Sequence, residues 1–105
     1  MDREVDKLFA EKLGYYEIEE TDFGAVIGRE PKTGELCIVP SPTSDIKDFY
    51  RLFEYFIREY APVEIGFNGD YHIRINGEIY KDSSFKSCVI EAFNGVNKVE
   101  EEEGV

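Results

Sequence analysis

One stretch decides the fold, Ser41-Pro-Thr-Ser-Asp-Ile-Lys-Asp-Phe-Tyr-Arg-Leu-Phe-Glu-Tyr-Phe-Ile-Arg-Glu-Tyr60. Its apolar residues recur at the i, i+3, i+4, i+7 spacing that gathers side chains on one face of a helix, and they are Ile46, Phe49, Tyr50, Phe53, Phe56, Ile57 and Tyr60. Pro42 disfavours helix before this stretch, one of residues 43–45 can cap the first turn, and Ala61-Pro62 ends the helix. A helix with this many large rings is expected to lie on a sheet.

Hairpins are predicted on both sides of this central helix. Glu30-Pro-Lys-Thr-Gly34 has the proline and glycine of a turn between two strands. Residues 36–39 of the second strand lack polar alternation, which predicts a strand that is covered on both faces or lies centrally. Asn76-Gly77 predicts a type I′ turn, because both of its positions need positive φ. A three-residue loop over 68–70 is predicted, since that register pairs apolar residues with apolar residues.

The predicted fold class is α+β. Residues 2–13 predict a first helix, residues 83–94 a last one, and Asn94-Gly95 its end. The order is α-β-β-α-β-β-β-α, with a further short strand candidate at 15–18, which indicates a mainly antiparallel sheet of about five strands with three helices in a two- or three-layer sandwich. The pattern leaves open whether helices cover one or both faces. Residues 1–95 are expected to form a single domain, and residues 96–105 an acidic, disordered tail.

Composition and charge narrow the possible functions. The chain has 105 residues and a net charge of -11. No apolar run approaches the roughly 20 residues of a membrane span, and residues 1–4 do not resemble a signal peptide, so a cytoplasmic protein without membrane contact is expected. Such a charge disfavours direct nucleic-acid binding. The negative charge either keeps the protein soluble and has no further role, or it binds basic surfaces of other proteins.

Catalytic and metal-binding patterns are missing from the sequence. Cys37 and Cys88 form neither a CxxC pair nor a zinc site, and both are interpreted as small core residues. His72 is the single histidine, and no nucleophile elbow, phosphate-binding glycine loop or HExxH motif is present. Helix capping accounts for Asp45 and Asp48 better than metal binding does. We therefore expect no enzyme, no cofactor and no metal.

A basic strand face is the sharpest local feature. His72 and Arg74 alternate with apolar residues, and the Asn76-Gly77 turn pairs position 72 with 81 and position 74 with 79. His72, Arg74 and Lys81 would then share one face around Ile79. This arrangement indicates either an anion site or a solvated face whose cations pair with nearby glutamates.

A second candidate surface lies on the central helix. Tyr55 falls opposite the apolar stripe, between Arg51 and Arg58. Arg51, Tyr55 and Arg58 could anchor a protein partner or a homodimer, although single exposed aromatic residues are also common on monomers.

Three segments together resemble one family. They are Phe9-Ala-Glu-Lys-Leu-Gly-Tyr-Tyr16, Val39-Pro-Ser-Pro-Thr-Ser-Asp-Ile46, and Tyr71-His-Ile-Arg-Ile75 leading into Ser83-Ser-Phe-Lys-Ser-Cys-Val-Ile-Glu-Ala-Phe93. In this order and spacing the chain resembles the phage ABA sandwich domain, a small α/β protein encoded by bacterial viruses. Members typically carry tryptophan after the first helix, where this chain has tyrosines. The resemblance implies a viral or prophage origin and helices on both sides of a sheet, and it transfers no functional residue.

The resulting functional hypothesis is a non-enzymatic, virus- or prophage-encoded interaction protein. It would bind a host or phage protein, and interference with host defence is one use of such binding. The alternative is a small module that binds or sequesters an anionic ligand such as a nucleotide at His72, Arg74 and Lys81. Either a monomer or a homodimer is compatible with the sequence.

Overall fold

The computed structural model describes residues 2–103, and it describes the side chains of residues 2–98. The described chain forms three helices and six strands, which are α1 (Arg3–Lys12), β1 (Tyr16–Glu20), β2 (Val26–Arg29), β3 (Leu36–Ile38), α2 (Ile46–Tyr60), β4 (Glu64–Asn68), β5 (Asp70–Ile75), β6 (Glu78–Asp82) and α3 (Phe85–Glu103). The chain divides into two compact units, with the first reaching Leu52 and the second beginning at Phe53.

The predicted α+β class and the antiparallel pairing are confirmed. The predicted single sheet of about five strands is wrong, because the six strands form two three-stranded sheets, β1-β2-β3 and β4-β5-β6. β1 is hard to recognise because three of its five residues are glutamates. Its pairing with β2 also shifts between Tyr16 and Glu19, where Glu17 has a φ of 51°. Such a bulge interrupts the alternation that marks a strand.

The first sheet has a buried inner face. Ala10 of α1, Val26 and Val39 form a buried cluster, and Tyr15 and Ile18 pack against it. Gly28 lies on the same face, where an added Cβ would be 3.1 Å from Ile18 and 3.2 Å from Val39. The packing of α1 against this face therefore forms the core of the first unit.

The β2–β3 hairpin has the predicted turn, with Ile27 opposite Ile38 and Arg29 opposite Leu36. The expectation that the strand beginning at Leu36 is covered on both faces or central is wrong. β3 is an edge strand, and Leu36 and Ile38 are 56% and 70% exposed. The apolar run at β3 thus correctly predicts a strand, but it does not predict whether the side chains of that strand are buried.

The first turn of α2 is capped by a carboxylate. Asp45 Oδ1 accepts from the backbone N–H groups of Lys47 and Asp48, at 2.9 and 3.1 Å. Asp48 Oδ2 accepts from the backbone N–H of Ser41 at 2.9 Å. The capping role predicted for Asp45 is confirmed, whereas Asp48 binds the segment before the helix rather than capping it.

A buried carboxylate holds the segment that precedes α2. Asp6 is 1% exposed, and it accepts hydrogen bonds from Ser41 Oγ at 2.6 Å and from Thr43 Oγ1 at 3.0 Å. The backbone N–H of Asp2 in turn donates to Thr43 Oγ1 at 2.9 Å. Side-chain hydrogen bonds therefore tie the start of α1 to the segment before α2 within the first unit.

The buried face of α2 differs from the predicted one. Phe49, Leu52 and Phe56 are buried, although Leu52 is not among the residues of the predicted stripe. Ile46 and Tyr50, both expected in the stripe, are 59% and 60% exposed, and Ile57 is also exposed. The helix is apolar on two adjacent faces, each with helical spacing, so periodicity identified Phe49 and Phe56 but not which neighbouring residues are buried with them.

The second sheet has the predicted register. Phe67 lies opposite Tyr71 and Ile65 opposite Ile73. Asn76 and Gly77 have φ values of 51° and 83°, as the predicted type I′ turn requires. The core of the second unit includes Ile73 and Ile75 of this sheet and four buried residues of α3, which are Cys88, Val89, Ala92 and Phe93.

Helix α3 does not end at Asn94-Gly95, so that prediction is wrong. Gly95 lies inside the helix beside the side chain of Tyr80. A Cβ added at Gly95 would be 2.5 Å from Cε1 and from the hydroxyl oxygen of Tyr80. Val96 and Asn97 are buried, and Asn97 Nδ2 donates to the Phe93 carbonyl oxygen at 2.7 Å. Of the tail expected to be disordered, residues 96–103 are helical, and the last two residues lie outside the described residues.

Candidate functional site

The outer face of the second sheet brings the predicted basic residues together. His72 lies opposite Lys81 and Arg74 lies opposite Ile79, which is the register expected from the Asn76-Gly77 turn. Residues directly opposite each other in antiparallel strands point to the same side of the sheet. His72, Arg74 and Lys81 therefore share one face, as predicted.

These side chains line a cavity of about 260 Å³, which we call the outer groove. Its lining residues are Asn68, Asp70, His72, Arg74, Ile79 and Lys81. Asn68 and Asp70 pair across the β4–β5 turn at one end. The groove thus has a cationic part, an apolar floor at Ile79 and a polar end with a carboxylate.

Gly66 makes room for the imidazole in the outer groove. It lies opposite His72 in the β4–β5 pair, and an added Cβ would be 2.5 Å from both Cε1 and Nε2 of His72. Glycine within a strand often marks a close approach by another group. The position of Gly66 inside a predicted strand was therefore the available signal in the sequence. Gly66 is not among the site residues predicted from the sequence.

The charges of the outer groove are only partly paired. Arg74 Nε lies 3.9 Å from Glu64 Oε2, and both side chains are more than half exposed, so this ion pair contributes little. Within the part of the chain that the structure describes, the side chains of His72 and Lys81 form no hydrogen bond or ion pair. These basic side chains can therefore engage a ligand with little competition from the protein.

The outer face of the first sheet is apolar. Tyr16, Leu36 and Ile38 share this face through their pairing with β2, and they are 46%, 56% and 70% exposed. We call this set the apolar face. Arg29 lies among them, and its Nε is 2.6 Å from Glu17 Oε2. This surface was not predicted from the sequence, because the apolar run at Leu36 indicated a covered or central strand.

The predicted surface on α2 is engaged in local contacts. Arg51 Nη1 lies 3.8 Å from Asp48 Oδ1. Tyr55 is half-buried, and its ring meets Tyr60 and Phe93 edge-on. The Arg58 guanidinium lies 5.9 Å from the centre of the Tyr55 ring. Tyr55 is thus less accessible to a partner than the sequence predicts. The partner-binding role of Arg51, Tyr55 and Arg58 stays a prediction.

The two cysteines are free thiols. Cys37 is half-buried rather than a core residue. Cys88 is buried, and its thiol donates to the Tyr80 carbonyl oxygen at 3.3 Å. Burial, followed by the charges of Glu91 and Asp82, raises the pKa of Cys88 above its ordinary value of 9.0. This thiol therefore stays protonated at neutral pH.

Two carboxyl groups near Cys88, those of Asp82 and Glu91, have pKa values shifted in opposite directions. Hydrogen bonding from the Ser84 backbone N–H, and then from Glu91, lowers the pKa of Asp82. Partial burial, and then the hydrogen bond and charge of Asp82, raises the pKa of Glu91 above its ordinary value of 4.5. As the pH rises, Asp82 therefore loses its proton before Glu91 does.

Replacing Glu91 with glutamine is expected to stabilise the protein at neutral pH. The raised folded-state pKa of Glu91 contributes stability that is complete below 4.5 and is lost as the pH rises through the raised value. Glu91→Gln keeps a donor to Asp82 without the charge. Its melting temperature should exceed that of the wild type at pH about 7 and match it near the ordinary carboxyl range of about 4. Glu54→Gln, on the exposed side of α2, is the control, and equal pH profiles for wild type and Glu91→Gln would contradict the assignment.

The described part of the chain has neither a metal-binding cluster nor a membrane-spanning helix. Across its described residues, the protein has no cluster of three or more His, Cys, Asp or Glu side chains placed to hold a metal ion. None of the helices, as far as the structure describes them, has the length and apolar character needed to cross a membrane.

Comparison with known proteins finds no matching family model, no matching curated protein and no matching solved structure. The outer groove and the apolar face are therefore the features that bear on the function of the protein.

Proposed function

We propose that the protein is a non-enzymatic, virus- or prophage-encoded interaction protein that binds a basic region of a host or phage protein through the apolar face. The observation that carries this proposal is the exposure of Tyr16, Leu36 and Ile38 on one sheet face. Contiguous exposed apolar side chains typically mark protein-binding surfaces. Blocking a host defence or nucleic-acid enzyme is one use of such binding.

The chemistry of the partner follows from charge. The chain has a net charge of -11, and the apolar face is next to the glutamates of β1. A partner surface with an apolar centre and a rim of lysine or arginine would complement both features. Viral origin, action in the host cytoplasm and a sandwich arrangement of the helices belong to the same proposal, which the resemblance to the phage ABA sandwich domain supports.

Replacing Leu36 and Ile38 together with glutamate is expected to abolish partner binding. The change removes two exposed apolar side chains from the apolar face and adds charge that a desolvated interface centre disfavours. The measurement is quantitative co-purification from host lysate, with a partner defined as a protein that the wild type retains and the variant loses. Recovery should also fall with rising salt, because rim charges are screened.

Ile46→Gln is the matched control, because Ile46 is similarly exposed but lies on α2. It should leave recovery of the partner unchanged. The proposal would be refuted if no protein depended on Leu36 and Ile38, or if Ile46→Gln lost the same proteins.

A second candidate function is the binding of an anionic ligand. The specific observation that favours it is the convergence of His72, Arg74 and Lys81 on one cavity. Because the cavity belongs to the second unit and the apolar face to the first, the two functions can be tested independently.

A further inference from the structure

We infer that the outer groove binds a small phosphomonoester that also carries hydroxyl groups, the chemistry shared by sugar phosphates and nucleoside monophosphates. The inference rests on the second candidate function above and names its class of ligand. It is carried by the two chemically different ends of one cavity.

The cationic part of the groove suits the phosphate. Lys81 and His72 face each other across the β5–β6 pair, and Arg74 is two residues further along β5. Lysine offers a strong point charge and arginine a planar fork for phosphate oxygens. The 3.9 Å contact between Arg74 and Glu64 is a weak, exposed pair that a phosphate can displace.

The opposite end of the groove selects against a second phosphate and for hydroxyl groups. The carboxylate of Asp70 repels anions, but it accepts hydrogen bonds from hydroxyl donors, and the amide of Asn68 can both donate and accept. Asp70 is two residues from His72 along β5, a separation of about 7 Å. A phosphate at the cations therefore leaves the rest of a sugar phosphate within reach of Asp70 and Asn68.

The size of the groove limits the ligand to one small molecule. Its volume of about 260 Å³ is just below the range of about 300–1,000 Å³ that is typical of sites for drug-sized ligands. Ile79 provides an apolar surface against which a sugar ring can pack. Gly66 lets the imidazole of His72 lie across β4.

The test is a titration of the isotopically labelled full chain, followed by nuclear magnetic resonance of its backbone amides. The probes are inorganic phosphate, ribose, ribose 5-phosphate and adenosine 5′-monophosphate. Saturable shifts are expected at residues 68–81 with both phosphomonoesters, weaker ones with inorganic phosphate, and none with ribose. Adenosine 5′-monophosphate carries adenine in place of the anomeric hydroxyl group of ribose 5-phosphate, so the tighter of the two shows which source of the phosphate the groove prefers.

Four variants assign the ends of the groove. Lys81→Gln should weaken ribose 5-phosphate binding about tenfold, the loss expected for one charge-assisted hydrogen bond. Glu64→Gln should strengthen it, because Arg74 loses its competing carboxylate. Asp70→Ala, which removes the acceptor for hydroxyl groups, should reduce the advantage of ribose 5-phosphate over inorganic phosphate. Lys32→Gln, in the first unit, should leave the titration unchanged.

The outcomes separate the two claims. If inorganic phosphate binds at residues 68–81 as tightly as ribose 5-phosphate, the ligand class is wrong while the anion site stands. If no probe produces a saturable shift, or if Lys81→Gln titrates like the wild type, the anion site itself is refuted.

Discussion

Gly95→Ala is expected to destabilise the protein by about 1–3 kcal/mol, the usual cost of overpacking. In an ordinary helix interior the same change stabilises by about 1 kcal/mol, because alanine is the better helix former. Here the added Cβ would lie 2.5 Å from both Cε1 and the hydroxyl oxygen of Tyr80, and 2.7 Å from its Cζ. The ring and α3 would have to separate, and urea unfolding measures the resulting loss of stability.

The sign of this effect is tested by a double-mutant cycle with Tyr80. In a Tyr80→Ala background the obstructing ring is absent, so Gly95→Ala should stabilise by about 1 kcal/mol. In a Tyr80→Phe background the ring remains and the substitution should stay destabilising. If Gly95→Ala stabilised the wild type, the close packing of Tyr80 on α3 would be disproved.

Asp6→Ala is expected to lower the free energy of unfolding by about 2–3 kcal/mol. Ser41 Oγ and Thr43 Oγ1 would both lose the carboxylate to which they donate. Hydrogen bonds to charged groups contribute roughly 1.5–3 kcal/mol each. The loss stays below the sum because Ser41 Oγ also hydrogen-bonds Ser44 Oγ at 2.5 Å. Denaturant titration provides the measurement.

Two variants control for loss of charge and for loss of a cap. Asp6→Asn retains one oxygen acceptor and should be less destabilising than Asp6→Ala. Asp45→Ala removes the exposed cap of α2 and should cost about 1 kcal/mol. Should Asp6→Ala prove no more destabilising than Asp45→Ala, the buried network would have no special role in stability.

The outer groove was largely predictable because its geometry depends on local turn chemistry. Asn76-Gly77 defines the β5–β6 register, and that register alone places His72 opposite Lys81 and Arg74 opposite Ile79. Gly66 was not predictable in the same way. Its role depends on a side chain in the neighbouring strand, and a glycine in a strand has several other possible explanations.

The errors arose where burial depends on neighbours that are distant in sequence. Leu36 and Ile38 have the apolar character of a core strand, yet β3 lies at a sheet edge. Helix α2 has two apolar faces, and only tertiary packing selects Leu52 over Tyr50. Gly95 resembled a helix end because glycine commonly follows one, whereas the Tyr80 ring is the reason for it here.

Site-specific photo-crosslinking from the apolar face tests the central claim most directly. A photoreactive residue replaces Ile38, and a second protein with the same residue at Ile46 serves as the control. Irradiation in host lysate should produce a discrete covalent adduct from position 38 that disappears when Leu36 is also changed to glutamate and when salt is raised. An absence of any adduct at position 38, or the same adducts from both positions, would contradict partner binding through this face.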